Sequence, residues 1–294
     1  MSDRVFLPHP EAEFKISELL GPSPKGSYEP SGVCFRGGCL YVVFDNFPHI
    51  ARLGYPLAVS DPANVLVRQD GKNRDFEGIT YFEPKRCFLI ISEALKGPGG
   101  DDRPAVEAYD DSLQPQRSKW LDFAVDKRNK GMEGITYARL DGQDSVLCLY
   151  EGNKARGGAK GRQPGGGRIH VYQADATNKW GYRRTLKLPK TVRFIDYSGM
   201  DVDGARIAVV SQDSSALWIG ELRGDGLGFL DDGRIFHFPR DDSGKRIYCN
   251  VEGVAWITPE EITVVSDRRN KDGQKRRCKR KAQSIHSFRI PGAS

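Results

Sequence analysis

A chain of 294 residues, 38% apolar and 29% charged, is long enough for one large or two small globular domains. No apolar run approaches the roughly 18 residues of a membrane span, and the opening stretch MSDRVFLPHPEAEF lacks the apolar core of a secretory signal; a cytoplasmic monomer without membrane contact is expected. The net charge of +6 is too small to define a nucleic-acid binder, but it favours an anionic partner.

In chain order, EFKISEL (13–19) reads as a lone strand, and a repeat then begins. EPSGVCF (29–35) leads to LYVVFD (40–45), DFEGITY (75–81) to FLIISE (88–93), and GMEGITY (131–137) to VLCLYE (146–151). DYSGMDV (196–202) leads to IAVVSQ (207–212), and NVEGVAW (250–256) to ITVVSD (262–267). The motif glycines Gly32, Gly78, Gly134, Gly199 and Gly253 recur roughly every 46–65 residues, a spacing that points to a propeller or solenoid. Each second element is a short β-branched or aromatic run bounded by turn residues, which reads as a buried strand. Weaker third and fourth strands follow: RPAVEAYD and KWLDFAVD, then GRIHVYQ and GYRRTLKLP, then ALWIGEL and GRIFHFP.

Four antiparallel strands repeated five times describe an all-β, five-bladed β-propeller, with residues 1–294 as a single domain. Blades start near 32, 78, 134, 199 and 253. The last blade, ending in SIHSFRIP (284–291), is one strand short, and residues 13–19 are expected to complete it. No long helix pattern is present. The six cysteines (Cys34, Cys39, Cys87, Cys148, Cys249 and Cys278) form no C-x-x-C pair and no zinc pattern, so reduced, mostly buried thiols are expected.

Antiparallel alternation places the start of each innermost strand and the end of each second strand at one mouth of the central channel. The first set is Ser31, Glu77, Glu133, Ser198 and Glu252, preceded two residues earlier by Glu29, Asp75, Gly131, Asp196 and Asn250. The second set is Asp45, Glu93, Glu151, Gln212 and Asp267. So many converging oxygens repel as anions unless a hard cation or shared protons intervene. Calcium takes six to eight oxygen ligands in loose geometry and suits this set, with Ser31, Glu77, Glu133, Ser198 and Glu252 as ligands. Alternatively, the carboxylates accept hydrogen bonds from strand-end amides and hold the blades together; that reading is favoured for the second set. The glycine after each glutamate serves either close backbone approach or unusual dihedrals.

Two loops expected at the same mouth are basic: 152–168 and 268–283. A cationic centre ringed by Lys and Arg suits a small anionic ligand such as a phosphate or carboxylate. Asp45, Glu151, Arg74, Lys154 and Arg268 are the candidate substrate contacts, with Glu93, Asp267 and His49 as candidate acids or bases. Nucleic acid is a secondary possibility, since aromatic residues are sparse in both loops. Nucleotide-loop, serine-hydrolase-elbow and zinc-protease motifs are absent.

At these motifs the chain resembles the SdiA-regulated (YjiK-like) propeller family and, more distantly, the esterase-like phytase propellers. EPSGVCF…LYVVFDN, DFEGITYF…FLIISEA, GMEGITYA…CLYEGNK, DYSGMDV…IAVVSQDSS and NVEGVAW…ITVVSDRRN carry the likeness in order along nearly the whole chain. The resemblance implies a propeller with an acidic, calcium-type site at the channel mouth, to which Glu77, Glu133 and Glu252 correspond. A metal-dependent hydrolase or lactonase of a small anionic or phosphorylated substrate is the resulting expectation; the alternative is a non-catalytic binding or scaffold propeller with a structural metal.

Overall fold

The computed structural model describes residues 4–69, 75–96, 100–123, 131–174, 180–268 and 275–292. It begins with β1 (Val5–Phe6), β2 (Ala12–Lys15) and the short helix α1 (Ile16–Leu20). Blade one holds β3 (Pro30–Arg36), β4 (Cys39–Phe44), β5 (His49–Gly54) and β6 (Val65–Arg68). Blade two holds β7 (Phe76–Phe82), β8 (Cys87–Lys96), β9 (Asp102–Asp110) and β10 (Pro115–Trp120). In blade three, β11 (Met132–Leu140) and β12 (Gln143–Tyr150) are followed by the one-turn helix α2 (Gly158–Gly161), β13 (Arg168–Ala174) and β14 (Trp180–Lys187). Blade four holds β15 (Gly199–Asp203), β16 (Arg206–Ser211), β17 (Ala216–Glu221) and β18 (Arg234–His237). Blade five holds β19 (Val251–Thr258), β20 (Glu261–Ser266) and β21 (Ser284–Arg289).

The ring closes as the missing strand requires: β2 pairs antiparallel with β21 as the outer strand of blade five. Only half of the 13–19 stretch is strand, however. The chain turns helical at Ile16, and α1 buries Ile16 and Leu19 against the core between blades five and one. An unexpected addition is β1, which lies parallel to β18 as a fifth strand of blade four. The expected strand KWLDFAVD (119–126) is also displaced: β10 ends at Trp120, and 124–126 lie outside the described residues.

Apolar packing is divided into five cores, each set between neighbouring blades. Leu147, Leu149 and Val171 of blade three meet Ile207, Val209 and Trp218 of blade four, for example. A second strand such as β20 is covered on both faces and buries five of its six residues, hence its continuous apolar run. Outer strand β10 is mostly exposed, which is why its boundaries carry a weak sequence signal.

Away from the mouth, side chains also tie blade to blade. The Thr136 hydroxyl donates to the Asp201 carboxylate (3.0 Å), which also accepts the Trp256 amide (2.9 Å). Cys249 and Cys278 form a disulfide, contrary to the expectation of reduced thiols throughout. Their separation of 29 residues hid the pair in the sequence; the chain folds back to bring their Cα atoms within 5.8 Å. Cys34 and Cys148 are buried free thiols, and Cys39 and Cys87 are half-buried. No helix among the described residues is long and apolar enough to cross a membrane.

Candidate metal centre at the channel mouth

The five motif glycines stack on one another around the axis. A Cβ on Gly32 would lie 2.7 Å from the Gly78 Cα, one on Gly78 2.9 Å from the Ile135 amide, and one on Gly253 3.0 Å from the Gly32 Cα. None of the five has a left-handed φ. Close approach, not an unusual dihedral, therefore demands glycine here.

In four of the five blades the residue before the glycine is thrown out of the ladder. Phe76 pairs with Ser92 and Gly78 with Ile91, so Glu77 sits in a β-bulge. Glu133, Glu252 and Ser31 occupy the equivalent bulges of blades three, five and one. A bulge inserts one unpaired residue and re-aims its side chain. This is how a charged residue can stand at the start of a buried strand: it points into the channel.

Ser31, Glu77, Glu133 and Glu252 line one cavity of about 480 Å³ together with Asp45, Glu93, Glu151 and Asp267. Glu29, Gln212, Asn250 and Arg268 complete its polar wall. Both sets of strand-end oxygens thus meet at one mouth. Ser198 does not line it; its hydroxyl donates to the Val251 carbonyl (2.7 Å) across the blade interface. The Ser31 hydroxyl likewise donates to the Phe76 carbonyl of the next blade. Both serines therefore act as inter-blade ties; Ser31 also borders the cavity, and Ser198 does not.

Within the cavity the carboxylates form two groups of three, and in each group one oxygen per residue lies within 4.8 Å of the others. Glu29, Asp45 and Asp267 join blades one and five; Glu93, Glu133 and Glu151 join blades two and three. Oxygens bound to one calcium at about 2.3–2.6 Å cannot be more than about 5 Å apart, so both groups are tight enough to share an ion. The donors are all oxygen, which suits a hard cation and disfavours zinc or copper. The sequence expected the ligands on the inner ring, but of Ser31, Glu77, Glu133, Ser198 and Glu252 only Glu133 belongs to a triad; the second-strand ends Asp45, Glu93, Glu151 and Asp267 supply four of the six carboxylates.

Burial, then repulsion from Glu93, Asp45 and Glu252, holds the Glu77 carboxyl well above the ordinary range. Glu133 and Glu252 are raised in the same direction, again first by burial and then by neighbouring carboxylates. All three keep some surface open to the channel, but protein encloses them closely enough to disfavour charge. Asp45 is pushed up to about 7 by burial and by Glu29 and Asp75, and Asp267 to about 8 by burial, with Arg268 opposing both shifts. The Asp45 and Asp267 Oδ1 atoms are buried without a hydrogen-bond partner.

Several mouth carboxylates also hold protein. Glu93 Oε1 accepts the Gly131 amide of the next blade at 2.8 Å. Glu29 Oε1 accepts from the Ser27 hydroxyl (2.9 Å) and from Arg268 Nε (3.0 Å), so Arg268 is occupied by an ion pair. His49 does not reach the cavity; it begins β5 and packs edge-on against Phe47, with ring centroids 4.9 Å apart. Lys154 is exposed outside the cavity, while its backbone is pinned to Gly166. Arg74 lies outside the described residues.

Sequence reasoning missed Asn153, which is fully buried and organises the 152–168 loop. Its amide nitrogen donates to the carbonyls of Gly161, Phe194 and Ile195, and its oxygen accepts from the Gly166 amide and the Tyr197 hydroxyl. An asparagine in a glycine-rich loop gives no advance sign of this role.

The fold and site define a five-bladed β-propeller with carboxylate clusters that could hold a metal at its channel mouth. No protein-family model matches the chain, and no curated protein matches its sequence. Solved structures of like fold include glutaminyl cyclase from Myxococcus xanthus, with a TM-score of 0.59 at 9% identity over 98% of both chains. The calcium-binding protein regucalcin from Agrobacterium tumefaciens gives 0.54 at 14% identity, over 98% of this chain and 96% of that one. The PQQ-bound aldose sugar dehydrogenase from Streptomyces coelicolor gives 0.50 at 12% identity, over 96% and 99%. At such identities the likeness is one of fold.

Proposed function

We propose that the channel mouth is a divalent-cation site, calcium by its donor chemistry, and that it serves the hydrolysis of a small anionic ester, lactone or phosphoester. The observation that carries the reading is the pair of buried, unpartnered oxygens on Asp45 and Asp267, set among carboxylates whose repulsion Arg268 relieves only in part among the described residues. A cation there would be held by Glu29, Asp45 and Asp267, or by Glu93, Glu133 and Glu151. When bound, it would polarise a substrate oxygen. With the cation on Glu93, Glu133 and Glu151, Asp45 and Asp267, whose carboxyls burial raises to about 7 and about 8, would be the groups that take and return a proton. The resemblance of the repeated motifs to the SdiA-regulated family supports the cation site, though not the hydrolysis, as does the description of one structural neighbour as a calcium-binding protein.

A second reading is a non-catalytic propeller whose metal is structural. It is favoured by the partners that Glu93 and Glu29 already have within the protein. One experiment tests both. Chelator-treated protein is titrated with calcium by calorimetry and then assayed with and without calcium on ester, lactone and phosphoester panels. Binding with turnover supports the hydrolase, and binding without turnover supports the structural metal. Absence of binding refutes both.

A further inference from the structure

Beside the acidic mouth, and sharing Gln212 and Asn250 with it, lies a second cavity of about 260 Å³. Its character is opposite. Arg162, Arg246, Lys275 and Arg277 face it, against the single carboxylate of Asp213. The cations come from three separate stretches of chain, so the basic character arises in the fold. Arg162 is matched by Asp213, with 2.7 Å between them. Among the described residues the Arg246 side chain is steadied through a backbone carbonyl, that of Asp213. Arg277 donates its Nε to the Arg246 carbonyl at 3.0 Å. Neither Arg246 nor Arg277 forms an ion pair with a carboxylate among the described residues. Both guanidinium groups are thus positioned by the backbone and, among the described residues, left without a carboxylate partner.

The wall between them is the Cys249–Cys278 disulfide. It ties the stretch carrying Arg246 to the short 3-10 turn Arg276–Lys281, which carries Arg277. Two like-charged arms would otherwise drift apart. The crosslink, with the Arg277–Arg246 carbonyl bond, keeps them facing the same space.

We propose that this cavity is an anion site for the phosphate group of a small phosphomonoester, clamped by the Cys249–Cys278 disulfide. A forked guanidinium pair matches a phosphate's oxygens by bidentate donation. An excess of cations favours a dianion over a single carboxylate. At roughly 30 Å³ per water-sized group, the cavity takes a tetrahedral oxyanion and a few further atoms. The shared wall at Gln212 and Asn250 directs the rest of the ligand toward the carboxylate mouth. The ligand class rests on this cavity; its coupling to calcium rests on the cation reading above. An unneutralised mouth repels the phosphate, whereas a mouth holding a cation does not. Calcium and phosphate should therefore each tighten the other's binding by the same factor.

The test is calorimetric titration with inorganic phosphate and with phenyl phosphate, each in chelator and in calcium, and with acetate as the carboxylate probe. Wild-type protein should bind both phosphates in chelator, and acetate at least about tenfold more weakly. Arg246→Gln and Arg277→Gln should each weaken phosphate binding by about tenfold, while Arg139→Gln, in β11 beside the turn to β12, should not. Cys249→Ser, or mild reduction, should weaken binding several-fold with an unchanged circular dichroism spectrum. Phenyl phosphate binding tighter than inorganic phosphate marks a phosphorylated small molecule as the occupant; the reverse order overturns the phosphomonoester and leaves a site for the free ion. Phosphate binding of equal strength with and without calcium refutes the coupling and spares the pocket. No phosphate binding by the wild type, or wild-type affinity in both arginine variants, overturns the site.

Discussion

The glycine ring makes a graded prediction. Replacing each motif glycine by alanine adds the same methyl group, but the space that receives it differs. At Gly199 the new Cβ would lie 2.2 Å from the Glu252 carbonyl oxygen and 3.0 Å from the Gly253 Cα, so backbone must move by more than an ångström. At Gly134 its nearest neighbour is the Met200 amide at 3.2 Å, a crowding that a few tenths of an ångström relieves. Overpacking of the first kind costs about 1–3 kcal/mol. Alanine returns about 0.4–1 kcal/mol by restricting the unfolded chain. Gly134→Ala should thus lie within about 1 kcal/mol of wild type, and Gly199→Ala should lose about 1–2 kcal/mol. At about 2–4 °C per kcal/mol, Gly199→Ala melts about 2–8 °C lower. Gly32→Ala and Gly78→Ala, with backbone contacts at 2.7 and 2.9 Å, should fall between. Because Gly199→Ala pushes on the Glu252 backbone, it should also blunt any calcium-dependent rise in Tm, which Gly134→Ala does less. Scanning calorimetry in chelator and in calcium reads both effects. A Gly199→Ala protein as stable as Gly134→Ala, or a reversed order, refutes close packing at the axis as the reason for the glycines.

Asp45 and Asp267 have folded-state affinities of about 7 and 8, above the ordinary carboxylate value of 3.8. The native state therefore holds protons that the unfolded state has released. In chelator, stability should fall as pH rises from about 4 through 8, by about 1–2 kcal/mol once channel water is allowed for, and calcium should restore more Tm at pH 8.5 than at pH 6. A chelated Tm that is level or rising over that range sinks the idea. Glu133→Gln removes one oxygen donor together with its repulsion of Glu77 and Glu93. Its Tm in chelator should match or exceed wild type, and its calcium-dependent shift should drop by half or more; an undiminished shift argues against Glu133 as a ligand. Asn153→Ala strands five hydrogen-bond partners around a buried position, costing about 2–3 kcal/mol. Limited proteolysis should then cut within 152–168, and resistance equal to wild type would count against Asn153 as the organiser of that loop.

The blades were legible because their inner strands are covered on both faces. Runs such as VVF in β4 and VV in β20 must be apolar, and the motif glycine is forced by its neighbour across the axis. Outer strands have a weaker constraint, so β10 was misplaced and β1 went unseen. The mouth was legible as topology: once strands alternate, Glu77 and Glu93 must lie at the same end. What each group does there was not legible. Ser198 turns to a carbonyl, Arg268 to Glu29, and His49 stays on the flank of blade one, because each choice depends on reach and on partners distant in the chain.

Alone, the sequence determined the number of blades, the closure by an N-terminal strand, and the end of the channel at which the acids gather. These follow from periodicity and from the alternation of strands, which are properties of neighbouring residues. Only the tertiary structure divided the acids into two triads, joined Cys249 to Cys278, and set a basic cavity against an acidic one. Those facts depend on the bulge that aims Glu133 into the channel and on strand ends and loops from different blades converging within a few ångströms. Such distances belong to the closed ring, and no local pattern in the chain encodes them.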